Sequence, residues 1–217
     1  MKKKNNLLLF LIITFNISLF AQDVEIKLLY KDGRQQIQKL KAESKKFTFY
    51  DSEEGQIIEV KNLEKLLDLE ELEVYNVSNI KDWTFLCSLK KLKSLYMASV
   101  TVPNLQFLSD MTQLENISLN VYLLKEEQNK PLDLSKLTKL KKIQIYTVPQ
   151  LTSIPKLINV KNKPELDLSN SMISFIAENE VSILEQFSVI NITFSPITFD
   201  YINKTKWLKY INFKKDN

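Results

Sequence analysis

The chain of 217 residues carries 30 Lys and Arg against 26 Asp and Glu, a net charge of +4, with the two signs interleaved. A nucleic-acid surface clusters its basic residues on one face, so that class is set aside. Histidine is absent and Cys87 is the single cysteine, which excludes Ser-His and Cys-His catalysis, His-ligated zinc, imidazole pH switches and any internal disulfide.

The N-terminus reads as a leader. Lys2, Lys3 and Lys4 precede an uncharged stretch over residues 7–20, and Ala21-Gln22 comes next. A basic start, a short apolar middle and a small residue at the cut make a secretory signal peptide of residues 1–21. A membrane helix needs about 20 apolar residues, and this stretch is shorter and interrupted by Asn16 and Ser18. Loss of the leader removes three lysines and brings the charge from +4 to +1. The expectation is bacterial export to a secreted, periplasmic or cell-surface location, with no stable membrane span after cleavage.

Residues 22–62 have a different texture. "VEIKLLY" and "QQIQKL" alternate apolar and polar around the turn signal "KDGR", and "KFTFY" and "QIIEV" flank "DSEEG". The two glycines, Gly33 and Gly55, sit at these turns. The pattern predicts a four-stranded antiparallel meander that caps the first coil of the segment beginning at residue 63.

From residue 63 the apolar residues step by three and then by two. Ile80, Trp83, Leu86, Leu89, Leu92 and Leu95 step by three, and Met97 comes after a step of two; Val102, Leu105, Leu108, Met111, Leu114, Ile117 and Leu119 repeat the sequence. A third run is Leu151, Ile154, Leu157, Val160, then Lys163 as the one miss, then Leu166 and Leu168. Neither a helix face nor a plain strand face has this period. A step of two suits a short strand. A step of three suits a 3₁₀ or polyproline-like return. With Leu72, Leu95, Ile117, Ile143, Leu166, Ile190 and Ile211 as equivalent positions, the intervals are 23, 22, 26, 23, 24 and 21, a solenoid period. The interval of 26 contains the polar insertion "LLKEEQNKP".

The core motif "LEELEV" (69–74), "LKSLYM" (92–97), "LENISL" (114–119), "LKKIQI" (140–145) and "LKYINF" (208–213) resembles that of the leucine-rich repeat family, and the long run of threes is similar to its bacterial internalin-like variety. The resemblance covers about seven repeats over residues 63–217. It implies an α/β or mainly β solenoid, a right-handed coil with a parallel concave sheet behind the N-terminal antiparallel β cap. The family's bend asparagine is replaced here by Val77, Val100, Tyr122, Val148, Ser171, Ser195 and Asp216, so there is no Asn ladder.

Between and beside the inward residues of each strand lie two outward columns. One is Glu73, Tyr96, Ser118, Gln144, Asp167, Asn191 and Asn212; the other is Tyr75, Ala98, Asn120, Tyr146, Ser169, Thr193 and Lys214. Tyrosine couples a large contact area to a hydroxyl, a composition suited to recognition. The candidate binding residues are Tyr75, Tyr96, Ser118, Gln144, Tyr146, Asp167 and Asn191, and the resemblance implies protein recognition on that face.

No chemistry-bearing motif is present. The pairs Glu53-Glu54, Glu70-Glu71 and Glu126-Glu127 read as solvated surface, and two glycines cannot build a phosphate loop. Cys87 sits in the run Phe85-Leu86-Cys87 and reads as a small buried hydrophobe. Asn76, Asn116, Asn191 and Asn203 open N-x-S/T triplets and read as ordinary polar residues in a bacterial chain. The expectation is a non-enzymatic binding module, without cofactor or metal, for a protein or surface polymer, with self-association possible through the C-terminal edge. The alternatives are a structural role in envelope assembly without a concave ligand, and, further off, a β-solenoid hydrolase.

Overall fold

The computed structural model describes residues 23–52, 56–123, 131–146, 157–168, 186–191 and 211–212. Its strands are β1 (Asp23–Tyr30), β2 (Gln35–Lys41), β3 (Lys46–Tyr50), β4 (Ile57–Lys61), β5 (Glu71–Tyr75), β6 (Ser94–Val102), β7 (Asn116–Leu123), β8 (Leu132–Asp133), β9 (Lys142–Ile145), β10 (Leu157–Ile158), β11 (Glu165–Asp167), β12 (Val189–Asn191) and β13 (Ile211–Asn212). Eight of them form one parallel sheet in the order β13-β12-β11-β9-β7-β6-β5-β3. Each coil adds one strand beside the last, which makes the chain a β-solenoid.

The register aligns the positions that the period picks out. Leu72 pairs with Leu95, Leu95 with Ile117, Ile117 with Ile143, Ile143 with Leu166, Leu166 with Ile190, and Ile190 with Ile211. From Leu72 to Ile190 these residues are no more than 2% exposed. A parallel ladder keeps equivalent side chains on one face, so each inward residue is covered by its counterparts above and below.

The step of three has a direct backbone cause. Along the middle of the return, the N–H of an inward residue donates to the carbonyl of the inward residue three places earlier. Leu86 donates to Trp83, Leu89 to Leu86, and Leu92 to Leu89, at 3.1 to 3.2 Å. The same chain of turns joins Leu105, Leu108, Met111 and Leu114, and again Leu134, Leu137 and Leu140. Three short 3₁₀ helices, Leu63–Lys65, Thr84–Ser88 and Gln106–Asp110, start the returns over 63–69, 83–92 and 105–114. Each ends on a residue with positive ψ: Leu66 (φ −79, ψ 77), Leu89 (φ −78, ψ 79) and Met111 (φ −87, ψ 63). These values lie in the inverse γ-turn region, which stops the 3₁₀ helix and lets another three-residue turn begin. Among the described residues no α-helix occurs.

The N-terminal meander needs correction. Only β2, β1 and β4 form an antiparallel sheet. The expected third meander strand, β3, instead runs parallel to β5, with Phe47 opposite Leu72 and Phe49 opposite Val74. It is the first rung of the large sheet. Phe47 and Phe49 continue the inward column, and both are buried. Asp51, the one buried polar or charged residue among those described, accepts the Ile57 N–H at 2.8 Å and so ties the end of this rung to the cap.

The bend that lacks its asparagine is filled by valine. Val77 and Val100 are fully buried. Asn76 (φ 58) and Ser99 (φ 56) adopt left-handed backbone just before them. Ser99 is the extra residue of a bulge, since Ala98 pairs with Asn120 and Val100 with Val121. The next rung lacks that residue, so the buried Val121 comes directly after Asn120. Leu151, Ile154, Leu184, Ile192 and Leu208 of the sequence pattern, Gly55, and most of the polar insertion after Leu123 lie outside the described residues.

Candidate recognition surface on the open face of the sheet

Alternation along each strand decides what this face displays. With Leu72 and Val74 turned inward, Glu71, Glu73 and Tyr75 of β5 turn outward. Parallel register then stacks equivalents into columns. Thr48, Glu73, Tyr96, Ser118, Gln144, Asp167, Asn191 and Asn212 are aligned partners across the sheet. The neighbouring column aligns Tyr50, Tyr75, Ala98 and Asn120. Tyr146 joins its far side, held by donation from its N–H to the Leu119 carbonyl at 2.8 Å.

Three tyrosines form a continuous aromatic strip. The rings of Tyr75 and Tyr96 lie 5.4 Å apart, and those of Tyr96 and Tyr146 6.2 Å apart in an edge-on arrangement. Both spacings fall in the favourable range for aromatic pairs. Burial, aided by Glu73 and Tyr96, pushes the Tyr75 phenol above its ordinary value of 10.0. Burial, aided by Tyr96 and Asp167, does the same for Tyr146. Mutual contact holds all three rings half-buried, so little side-chain entropy is left to lose on binding.

A polar cluster flanks the strip at each end. On the N-terminal side Glu73 accepts from Lys46, from Thr48 Oγ1 at 3.0 Å and from Tyr75 OH at 3.5 Å. The Lys46 ammonium is the main cause that holds the Glu73 carboxyl below its ordinary 4.5, against the opposing effect of burial. On the C-terminal side Lys142 sits 3.0 Å from Glu165 and 3.1 Å from Asp167. Burial pulls the Lys142 ammonium down, but its bonds to Glu165 and Asp167 outweigh that and the net direction is up. Ser118 Oγ donates to Gln144 Oε1 at 3.0 Å, Gln144 Nε2 to Asp167 Oδ2 at 2.9 Å, and Asn191 Nδ2 to Glu165 Oε1 at 2.5 Å.

All seven candidate residues therefore lie on one face, and the structure links them in two connected sets. Tyr75, Tyr96 and Tyr146 form the strip; Ser118, Gln144, Asp167 and Asn191 form the polar run. Ser169, Thr193 and Lys214 lie outside the described residues. Sequence reasoning missed Thr48 and Tyr50, which continue both columns on β3, and Lys46, which lies beside them opposite Glu71. Tyr50 is 59% exposed beside Tyr75. The signal was present, since Tyr50 follows Phe49 as Tyr75 follows Val74.

Several surface carboxylates elsewhere are engaged by lysines, whereas Asp82 and Asp133 accept backbone N–H groups from Thr84 and Ser135. Glu70 lies 3.2 Å from Lys45 and 2.6 Å from Lys93. The pairs at residues 53–54 and 126–127 lie outside the described residues. Cys87 is half-buried, its Sγ 3.4 Å from the Phe107 carbonyl, and burial pushes its thiol up, away from the nucleophilic form. Among the described residues no group of three or more Cys, Asp or Glu is placed to hold a metal ion, and no helix is long and apolar enough to cross a membrane.

No family model matches the chain, and no curated protein matches it. Among solved structures it is similar to an internalin from Listeria monocytogenes, at 18% identity and a TM-score of 0.40. That match covers 74% of this chain and 52% of the other, so the chain spans about half the length of that internalin. The solenoid itself rests on the strand pairing and register given above.

Proposed function

We propose that the chain is an exported, non-enzymatic recognition module of leucine-rich repeat type, and that the open sheet face carrying Tyr75, Tyr96 and Tyr146 engages a protein or a surface polymer. The carrying observation is the aromatic strip itself, whose rings meet at 5.4 and 6.2 Å across the sheet. Preformed tyrosine surface supplies contact area at low entropic cost, with hydroxyls for hydrogen bonds. Ser118, Gln144, Asp167 and Asn191 would act as the polar rim. Export rests on the leader pattern of residues 1–21; residues 22–62 serve as the cap and 63–217 as the repeats, with β3 of the cap segment supplying the first rung.

Alanine at Tyr75, Tyr96 and Tyr146 together tests the reading. The chain and this variant are used to capture material from cell envelope and culture medium, with circular dichroism as the control for folding. Loss of the captured species with an unchanged spectrum supports recognition by this face. Capture that survives the substitutions rejects it, and favours a structural role in envelope assembly.

A further inference from the structure

The one miss in the apolar pattern opens a cleft. Lys163 occupies the position filled by Leu69, Leu92, Leu114 and Leu140 in the coils before it, all of which are buried. A lysine ammonium cannot take that inward place without a partner. The backbone swings outward instead, with left-handed φ at both Asn162 (60°) and Lys163 (45°), and the Lys163 side chain is exposed. The i to i−3 bond that Leu140 makes to Leu137 has no counterpart at Lys163. Pro164 comes next and lacks an N–H. The carbonyls of Lys45, Glu70, Lys93 and Glu115 each accept two N–H groups from the next coil, whereas that of Lys141 accepts only Glu165.

The space left beneath this detour is a cleft of about 470 Å³ at the entrance to β9 and β11, with Leu140 and Pro164 among its lining. Three lysines, Lys139, Lys141 and Lys163, line it against a single carboxylate, Glu115. Glu115 is engaged at 2.5 Å by Lys141. Lys139 bonds Gln113, a neutral group, where the corresponding Lys91 two coils earlier bonds Asp68. Among the described residues Lys163 makes no ion pair. Elsewhere along this edge the lysines reach carboxylates, with Lys45 and Lys93 sharing Glu70 and Lys91 taking Asp68. The cleft carries two surplus positive charges beside an apolar lining, with Thr138 at its side.

We propose that this cleft binds a phosphate group, through the ammonium groups of Lys139 and Lys163. Lysines bind phosphate as mobile point charges, without the planar bidentate fork of arginine. The volume admits a phosphate with its carrier, a small molecule or one unit of a polymer. The site is separate from the tyrosine face and does not depend on it.

The test is two-dimensional NMR of the chain with inorganic phosphate at constant ionic strength. Saturable shifts are expected in the amides of residues 138–141, 162, 163 and 165, with Tyr75 and Tyr96 unmoved. Lys139→Gln with Lys163→Gln, at exposed positions that leave the core intact, should weaken binding by about tenfold. Lys163→Leu returns the missing inward residue, and should both abolish the response and raise Tm. A sugar phosphate and a short inorganic polyphosphate, added separately, tell a free monoester from a polymer as the source. Absence of a saturable response to all three up to about 50 mM, unchanged affinity in the double variant, or shifts centred elsewhere would overturn the proposal.

Discussion

The rings of Tyr96 and Tyr146 meet at 6.2 Å although β7 runs between the strands that bring them. Two strand spacings amount to about 9.6 Å, so the rings must lean toward each other over β7. They can do so because β7 turns Ser118 and Asn120 outward there, and neither side chain is bulky enough to hold them apart.

Tyr96 is thus the centre of the strip, in contact with both other rings. Its replacement by alanine should cost more binding than Tyr75→Ala or Tyr146→Ala, by at least about 1 kcal/mol. Titration of a captured partner against the three single variants checks the order. Equal losses would show that the rings act independently.

Core and surface leucines on this chain should separate cleanly. Leu95 is 1% exposed and is flanked by Leu72 and Ile117 in the ladder, whereas Leu67 is 70% exposed. Leu95→Ala should destabilise by about 2 to 5 kcal/mol, and Leu67→Ala by no more than about 0.5 kcal/mol. Urea unfolding of both variants gives the comparison.

Acid should loosen the fold through its paired carboxylates. Lys46 holds the Glu73 carboxyl below its ordinary 4.5 in the folded chain. A depressed folded value means stabilisation that is full above the unfolded value and lost as pH falls through the folded one. Stability should therefore decline below about pH 4.5, and Glu73→Gln should flatten that decline. Thermal melts from pH 6 to pH 2.5 would measure it; identical pH slopes for the chain and the variant would refute the assignment.

β3 and β13 are the terminal strands of the eight-stranded order among the described residues. Unpaired strand edges favour added strands. Self-association should appear as a sedimentation coefficient that rises with concentration. A single concentration-independent species at high loading would exclude it.

The solenoid was legible in the sequence because its causes are local. The return is built from hydrogen bonds three residues apart, such as Leu89 to Leu86, so inward positions must recur at that step. The strand alternates by two because the pleat does. Matching those phases placed Leu72, Leu95, Ile117, Ile143, Leu166, Ile190 and Ile211 in one column, which the register reproduces. It also placed the seven candidate residues on the outer face.

What only the tertiary structure decided involves neighbours distant in sequence. "KFTFY" alternates equally well for either kind of sheet, and its assignment to the parallel one depends on Phe47 finding Leu72 across 25 residues. The contact of Tyr96 with Tyr146 depends on what an intervening strand does not fill. A missing leucine at Lys163 could be read from the period, but not whether the chain would bury the lysine, kink or open a cleft. Periodicity specifies which side chains point inward; which surfaces then meet depends on stacking, and that is decided only when every coil is in place.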